Sequence, residues 1–314
     1  MAQLMEMMRV TLFGSRNDGK GASFFDPAKD IPSLAAKVVL VTGAAGDLGR
    51  TTAVQLARYG RPARIYAYET ADDEEAKSEN AGDDDNDNAT ARTEFRILDL
   101  DLGSLASVQA CAAAFLAREE RLDILVLNAG IIRVAPGTTA DGYEAHFGIN
   151  YLGHALLARL LAPTLVRTAE QSESADARVV VVSSEGHSSY AQRYGQSKIA
   201  LIQLAKQLAR RHPPLKAAAV HPGRILTGMA ESLRKESLLV RITAPMAPLI
   251  CVPVATGVKN HLWAATSADV VSGTYYEPVG VPDRESAVAR DEGLAERLWE
   301  WTEKELVAAG VWPG

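Results

Sequence analysis

The sequence predicts a single-domain α/β fold: a doubly wound parallel sheet with helices on both faces. Two patterns predict it. Apolar and β-branched runs without alternation, such as KVVLVTG at 37–43 and LDILVLNAG at 122–130, describe strands covered on both faces. Segments of helical length stand between these runs, the succession a parallel sheet needs for its crossovers. A chain of 314 residues with 47% hydrophobic and 23% charged content can build one large core. No internal repeat or linker sets off a second domain, so residues 35–314 are read as one domain behind an N-terminal arm at 1–34.

The elements follow in order. Pro27 and Pro32 limit regular structure in the arm. The first strand, 37–43, leads into Gly43, Gly46 and Gly49 and then a helix over 51–59; a second strand is read at 63–69. Residues 70–93 break the pattern. Between Asp72 and Asp87 stand nine acids and one lysine, so this insert holds more than the whole formal charge of -6 and the remainder is slightly basic. Like charges and small polar side chains make no core face, and the insert is expected to be disordered or solvated. Strand character returns at 95–100. A helix over 105–117, the strand 122–130, a helix over 143–166, the strand 177–184, a helix over 194–211 and the strand 215–223 complete the alternation.

Composition also excludes classes of partner. The acidic balance belongs to one segment, and no basic patch interleaved with aromatics suggests nucleic acid. Cys111 and Cys251 lie in apolar surroundings and are read as reduced core thiols. No His, Cys or carboxylate spacing suggests a metal site. The N-terminal segment lacks the apolar run of a signal peptide. The apolar stretch 238–258 carries Arg241, Pro245, Pro248 and Pro253, so no membrane span is expected, and the default location is cytoplasmic.

TGAAGDLG sits directly between a buried-type strand and a helix. A pyrophosphate approaching the backbone needs positions without side chains there, and the helix N-terminus supplies donors and a favourable dipole. Gly43, Ala45, Asp47, Leu48 and Gly49 are therefore candidate contacts for a dinucleotide, in a Rossmann-type arrangement. Glu69 closes the second strand, where an acid accepts hydrogen bonds from ribose hydroxyls and repels a 2′-phosphate. NAD is thus favoured over NADP. Asp99, with Leu100 after it, closes the third strand beside the adenine. Further on, Tyr194 and Lys198 are four residues apart on a predicted helix and share a face. An ammonium beside a phenol favours the phenolate, and such a pair can exchange a proton with a carbonyl or alcohol oxygen. A serine just upstream, Ser183 or Ser184, can hold that oxygen.

These segments together resemble the classical short-chain dehydrogenase/reductase family. The resemblance rests on TGAAGDLG, LDL with Asp99, NAG at 128–130, Asn150 in FGINYLGH, the serine pair 183–184, YGQSK with Tyr194 and Lys198, and HPG at 221–223. They span most of the chain in the family's order. DIPSLAAKVVLVTG, RYGQSKIA, SGTYYEPVG and LWEWTEKEL are similar to fungal members resembling retinol-dehydrogenase-like and WW-domain-oxidoreductase-like proteins. The resemblance implies an NAD(P)-linked interconversion of an alcohol and a ketone or aldehyde. Tyr194 would be the acid/base, Lys198 would lower its pKa and hold the nicotinamide ribose, and Ser184 would hold the substrate oxygen. Asn150 would hold a water of a proton relay. Asn128, Ala129 and Gly130 would line the cofactor crevice, with Pro222 and Gly223 by the nicotinamide and Thr227 near its carboxamide or the pyrophosphate.

Three departures stand out. Only nine residues separate Ser184 from Tyr194, fewer than the family usually has; either a piece of pocket wall is missing or Ser184 is displaced, and intact geometry with a more open pocket is expected. The acidic insert stands where the family has a helix. Ala45 occupies a position where NADP-using relatives often place a basic residue, although Arg50 stands close by. The segment 224–256, read as a lid, is rich in Leu, Ile, Val and Met and suits an apolar or aromatic substrate, with core packing as the equal alternative. His154 is expected to pack by its helix, His187 to sit in the shortened loop within reach of substrate, and His221 to be structural. Trp299 and Trp301 are read as anchors of a terminal helix or of a subunit contact, and a homo-oligomer is compatible with the family. A cofactor-dependent epimerase or dehydratase, or a poorly active nucleotide-binding regulator, remain the alternative functions.

Overall fold

The computed structural model describes residues 25–69, 92–132, 134–172, 176–188, 192–225 and 252–313. Among the described residues eight strands form one sheet: β1 (Val38–Thr42), β2 (Arg64–Glu69), β3 (Glu94–Asp99), β4 (Ile124–Leu127), β5 (Ala177–Val182), β6 (Leu215–Val220), β7 (Tyr275–Glu277) and β8 (Val281–Pro282). Their spatial order is β3-β2-β1-β4-β5-β6-β7-β8. Every neighbouring pair is parallel except β7 and β8, which run antiparallel at one edge.

The unalternated runs are explained by cover on both sides. Val38 and Leu40 of β1 face one core, and Val39 and Val41 face the other. The first core is closed by α3 (Leu105–Leu116), α4 (Gly153–Gln171), α5 (Arg193–Arg211) and α9 (Glu292–Ala308); the second by α2 (Asp47–Gln55), α7 (Lys259–Thr266) and the residues Phe25 and Ile31 that flank the single turn α1 (Pro27–Asp30). Two single-turn helices, α6 (Val254–Gly257) and α8 (Ala287–Arg290), complete the set. The chain winds outward from β1 to β3, then crosses back to β4 on the other side of β1. That reversal opens a crevice beyond the C-terminal ends of β1 and β4.

Several boundaries differ from expectation for physical reasons. Pro27 does not block structure: its fixed φ suits the first position of a helical turn, and Asp26 caps that turn. The helix after the glycines begins at Asp47, not Thr51, and ends in a π-helical turn, Leu56–Gly60. The helix read at 143–166 begins with a π-helical turn, Phe147–Leu152, and continues as α4 to Gln171. This stretch is the one helix among the described residues long and apolar enough to cross a membrane, and 78% of its most apolar window is buried inside the fold. The strand read at 122–130 pairs only over Ile124–Leu127. Cys111 is a buried thiol of α3. Cys251, Thr227, nearly all of the acidic insert and most of the lid lie outside the described residues.

Candidate active site

Four strand ends converge at the crevice. β1 delivers Thr42 and Gly43, β4 delivers Asn128, Ala129 and Gly130, β5 delivers Ser183 and Ser184, and β6 delivers His221, Pro222 and Gly223. Thr42 joins the first two. Its hydroxyl accepts the N–H groups of Asn128 and Ala129 at 2.8 and 3.0 Å. It lies 2.9 Å from His154 Nε2. The other ring nitrogen, Nδ1, is 2.9 Å from the Asn150 carbonyl, which only accepts. Nδ1 therefore carries the proton, Nε2 accepts from Thr42, and His154 is a neutral imidazole; burial pushes its pKa down to about 4. Rather than packing by its helix alone, His154 ties the turn bearing Asn150 to β1.

The glycine loop fits a pyrophosphate. Gly43 has φ +67°, and a Cβ there would lie 2.8 Å from Ala129 Cα. A Cβ on Gly49 would lie 2.2 Å from the Gly43 carbonyl oxygen and 2.7 Å from Asn128 Nδ2. Both glycines serve the fold. Gly46 is different: a Cβ would meet only the Gly43 oxygen, at 3.5 Å. It is exposed at the N-cap of α2, so its missing side chain leaves space for a ligand at a helix N-terminus. Ala45 and Leu48 are half-buried beside it and Asp47 is exposed. Glu69 and Asp99 pair in register at the ends of β2 and β3; Asp99 is exposed and Leu100 buried, while the Glu69 carboxylate lies outside what is described.

The chemical end is assembled by α5 and the β5 exit. Ser183 donates to the Lys198 carbonyl at 2.8 Å and is buried. Ser184 instead accepts the Gly186 N–H at 3.1 Å, and its hydroxyl lies near enough to the Tyr194 phenol to favour the phenolate. The nine-residue spacer thus leaves Ser184 and Tyr194 as neighbours on either side of Gly186. Gly186 makes this possible: a Cβ there would stand 2.9 Å from Tyr194 Cε1. Lys198 Nζ donates to the Val182 carbonyl at 3.0 Å and lies 5.5 Å from the centre of the Tyr194 ring. Asn150 accepts the Ile131 N–H at 2.8 Å and donates to the Ile131 carbonyl and to Ser197 Oγ, both at 3.0 Å. A Cβ on Gly130 would approach Asn150 Oδ1 to 3.0 Å and Lys198 Nζ to 3.7 Å. Pro222 is buried, and Gly223 turns the chain with φ +90°.

The electrostatics correct one expectation. Burial pushes the Tyr194 phenol up to about 12; the nearby Ser184 hydroxyl opposes the shift and the Glu185 charge adds to it. Burial pushes Lys198 down to about 8. The ammonium does not bring the phenol below its ordinary value, because a dry site penalises both charges and the ammonium is engaged with Val182. At neutral pH the phenol keeps its proton.

Three supporting residues escaped the sequence reading. Thr42 precedes Gly43 within the motif and was findable there. Asn260 carries no sequence signal, yet it donates to the carbonyls of His221 and Tyr276 at 2.8 and 3.1 Å and accepts the Gly280 N–H at 3.0 Å, bracketing the HPG turn. Glu144 holds His146 Nδ1 at 2.9 Å and Arg193 at 3.1 Å, beside Tyr194. His187, in the shortened loop, is buried. Among the described residues no cluster could hold a metal ion.

The short chain dehydrogenase family profile matches residues 37–238, and the chain belongs to that family. It is 34% identical over 304 residues to an uncharacterized oxidoreductase of Schizosaccharomyces pombe, covering 88% of this chain and 86% of that one. It is 34% identical over 312 residues to the short-chain dehydrogenase/reductase drtF of Aspergillus calidoustus (88% and 95% covered) and 35% identical over 290 residues to retinol dehydrogenase 12 of Mus musculus (85% of each). A solved structure of an uncharacterized Mycobacterium paratuberculosis protein superposes with a TM-score of 0.62 at 28% identity, covering 88% of this chain and 96% of that one. The protein is an NAD(P)-dependent oxidoreductase acting on CH–OH and C=O groups.

Proposed function

We propose that the chain interconverts an alcohol and a ketone or aldehyde on a mainly apolar substrate, with Tyr194 as the acid/base. The observation that carries this reading is that Ser184 and Tyr194 meet across Gly186, where a Cβ would lie 3.4 Å from Ser184 Oγ and 2.9 Å from Tyr194 Cε1, with Lys198 one helical turn on. A substrate oxygen seated between the two hydroxyls would receive two donors at once, polarising a carbonyl for hydride transfer. A nicotinamide cofactor, when bound, would supply or accept the hydride. Tyr194, protonated at neutral pH, gives its proton to the oxygen in the reductive direction, and Ser184 holds that oxygen in place. Lys198 would hold the ribose, and Asn150 fixes the loop after Gly130, against which the cofactor would rest. Glu69 at the end of β2 supports NAD over NADP. The apolar lid sequence and the retinol dehydrogenase relatives support a retinoid-like or aromatic substrate class.

Tyr194→Phe tests the mechanism. It is expected to bind NADH as the wild type does, by fluorescence titration, while kcat for retinal or an aromatic ketone drops about 10²- to 10⁴-fold. Unchanged turnover would overturn the assignment of the acid/base. NADH is expected to give at least a tenfold higher kcat/KM than NADPH; the reverse order removes Glu69 from the ribose.

A further inference from the structure

His187 contributes nothing to the proton transfer just described, yet its ring joins the catalytic loop to a segment about a hundred residues onward. Nδ1 lies 2.7 Å from the carbonyl oxygen of Ser184. That oxygen only accepts, so Nδ1 carries a proton and donates it. Nε2 lies 3.0 Å from the backbone N–H of Ser286. That group only donates, so Nε2 is bare. Both partners therefore demand the same neutral tautomer. The ring is 1% exposed and stands edge-on against Tyr275, with centroids 5.0 Å apart.

What lies beyond Ser286 makes this a closed brace. Ser286 caps α8, its hydroxyl accepting from the Ala289 N–H. The α8 turn is tied to α5 at three points. Lys206 pairs with Glu285 at 3.0 Å and donates to the Ala289 carbonyl at 3.3 Å, and Gln203 donates to the Val288 carbonyl at 3.2 Å. α5 is also the helix that carries Tyr194 and Lys198. The route from Ser184 through His187, Ser286 and α8 thus returns to the helix that holds the acid/base, independently of the chain between Ser188 and Gln192. We propose that His187 is a positioning residue for Ser184: as a neutral two-ended strut it holds the serine's backbone in register with Tyr194. The inference rests on the reading of Ser184 and Tyr194 given above.

Three measurements test it. Nitrogen NMR of the His187 ring is expected to show a protonated Nδ1 and an unprotonated Nε2 at neutral pH; an Nε2–H tautomer or an imidazolium overturns the strut. Kinetically, His187→Phe is expected to lower kcat for retinal about 10- to 100-fold, with the NADH dissociation constant within twofold of wild type. His187→Asn, whose amide N–H can still reach the Ser184 carbonyl, is expected to recover part of that loss even where the Phe variant folds poorly. In a Ser184→Ala background either substitution should lower kcat by less than twofold further, because the effect runs through the serine. An equal loss in both backgrounds would mean that His187 acts on stability alone and would overturn the proposal. If Ser184→Ala loses turnover while neither His187 variant does, only the strut falls. If Ser184→Ala keeps wild-type turnover, the serine's own role falls and the strut with it.

Discussion

A methyl group on Gly49 and one on Gly46 would meet very different surroundings, and the contrast separates fold from function at single residues. At Gly49 the new atom would be 2.2 Å from a backbone carbonyl oxygen, a position from which neither side can retreat without moving β1 against α2. At Gly46, whose φ of -78° any residue adopts, the only neighbour is 3.5 Å away. Gly49→Ala is therefore expected to cost about 3 kcal/mol or more, lowering Tm by about 6–12 °C. Gly46→Ala should cost about 1 kcal/mol at most, as a weaker N-cap, yet weaken NADH binding at least tenfold in a fluorescence titration. Equal affinity for wild type and Gly46→Ala would move the pyrophosphate away from this loop. The motif was legible in the sequence as a set of three glycines. Which glycine faces a ligand was not, because that depends on Gly43 and Ala129, residues 86 apart that only the β1–β4 pairing brings together.

α9 makes the corresponding case at the scale of one element. Trp299 and Trp301 marked it in the sequence as a helix anchor or a subunit contact, and they pack within the chain. Trp299 lies between two guanidinium groups, 3.8 Å from Arg159 and 4.8 Å from Arg211. Trp301 stacks edge-on against Tyr143 and Phe147. Arg159 is buried, donates to the Trp299 carbonyl at 3.1 Å, and has its pKa lowered by that burial. Trp299→Ala would leave a cavity and a buried cation without its aromatic face. The expected cost is about 3–5 kcal/mol, seen as a Tm lowered by about 6–20 °C; Trp299→Phe should show about half of that loss. A Trp299→Ala protein melting within 2 °C of wild type would mean that α9 is not held by this stack. Elements were legible where their pattern is long. The five-residue run of β1 and the nineteen-residue α5 each carry enough residues to show a period. β7 and β8, with three and two residues, carry none. The π-helical turn Phe147–Leu152 read as ordinary helix because six residues cannot distinguish its period from 3.6. The strand ending at Leu127 read three residues too long at its end because Asn128 and Ala129 leave the ladder to bond with Thr42, and Gly130 follows them out.

For the molecule as a whole, burying histidines beneath the crevice has a consequence for acid stability. His154, His221 and His261 are 0–2% exposed, and burial pushes them from an ordinary 6.5 down to about 4, 3 and 3 respectively. Each comes from a different element, α4, the β6 exit and α7, so no stretch of sequence announced their shared environment. In the unfolded chain all three take up protons as pH falls through about 6.5. In the folded protein they stay neutral until the lower values are reached. Their contribution to stability is therefore complete above about pH 6.5 and is lost progressively as pH falls toward 4 and 3. Each proton taken up on unfolding adds about 1.4 kcal/mol per pH unit, so the three together set a slope of about 4 kcal/mol per unit near pH 5. Urea midpoints measured at pH 7, 6 and 5 should fall with that steepness while the m-value stays constant. His261→Gln, which keeps a polar group beside Thr52 at a site 3.1 Å from its hydroxyl, is expected to reduce the slope by about one third. A flat profile between pH 7 and 5 would show that these imidazoles are reached by water and protonate in the folded state, which the packing of α4 and α7 against the sheet forbids.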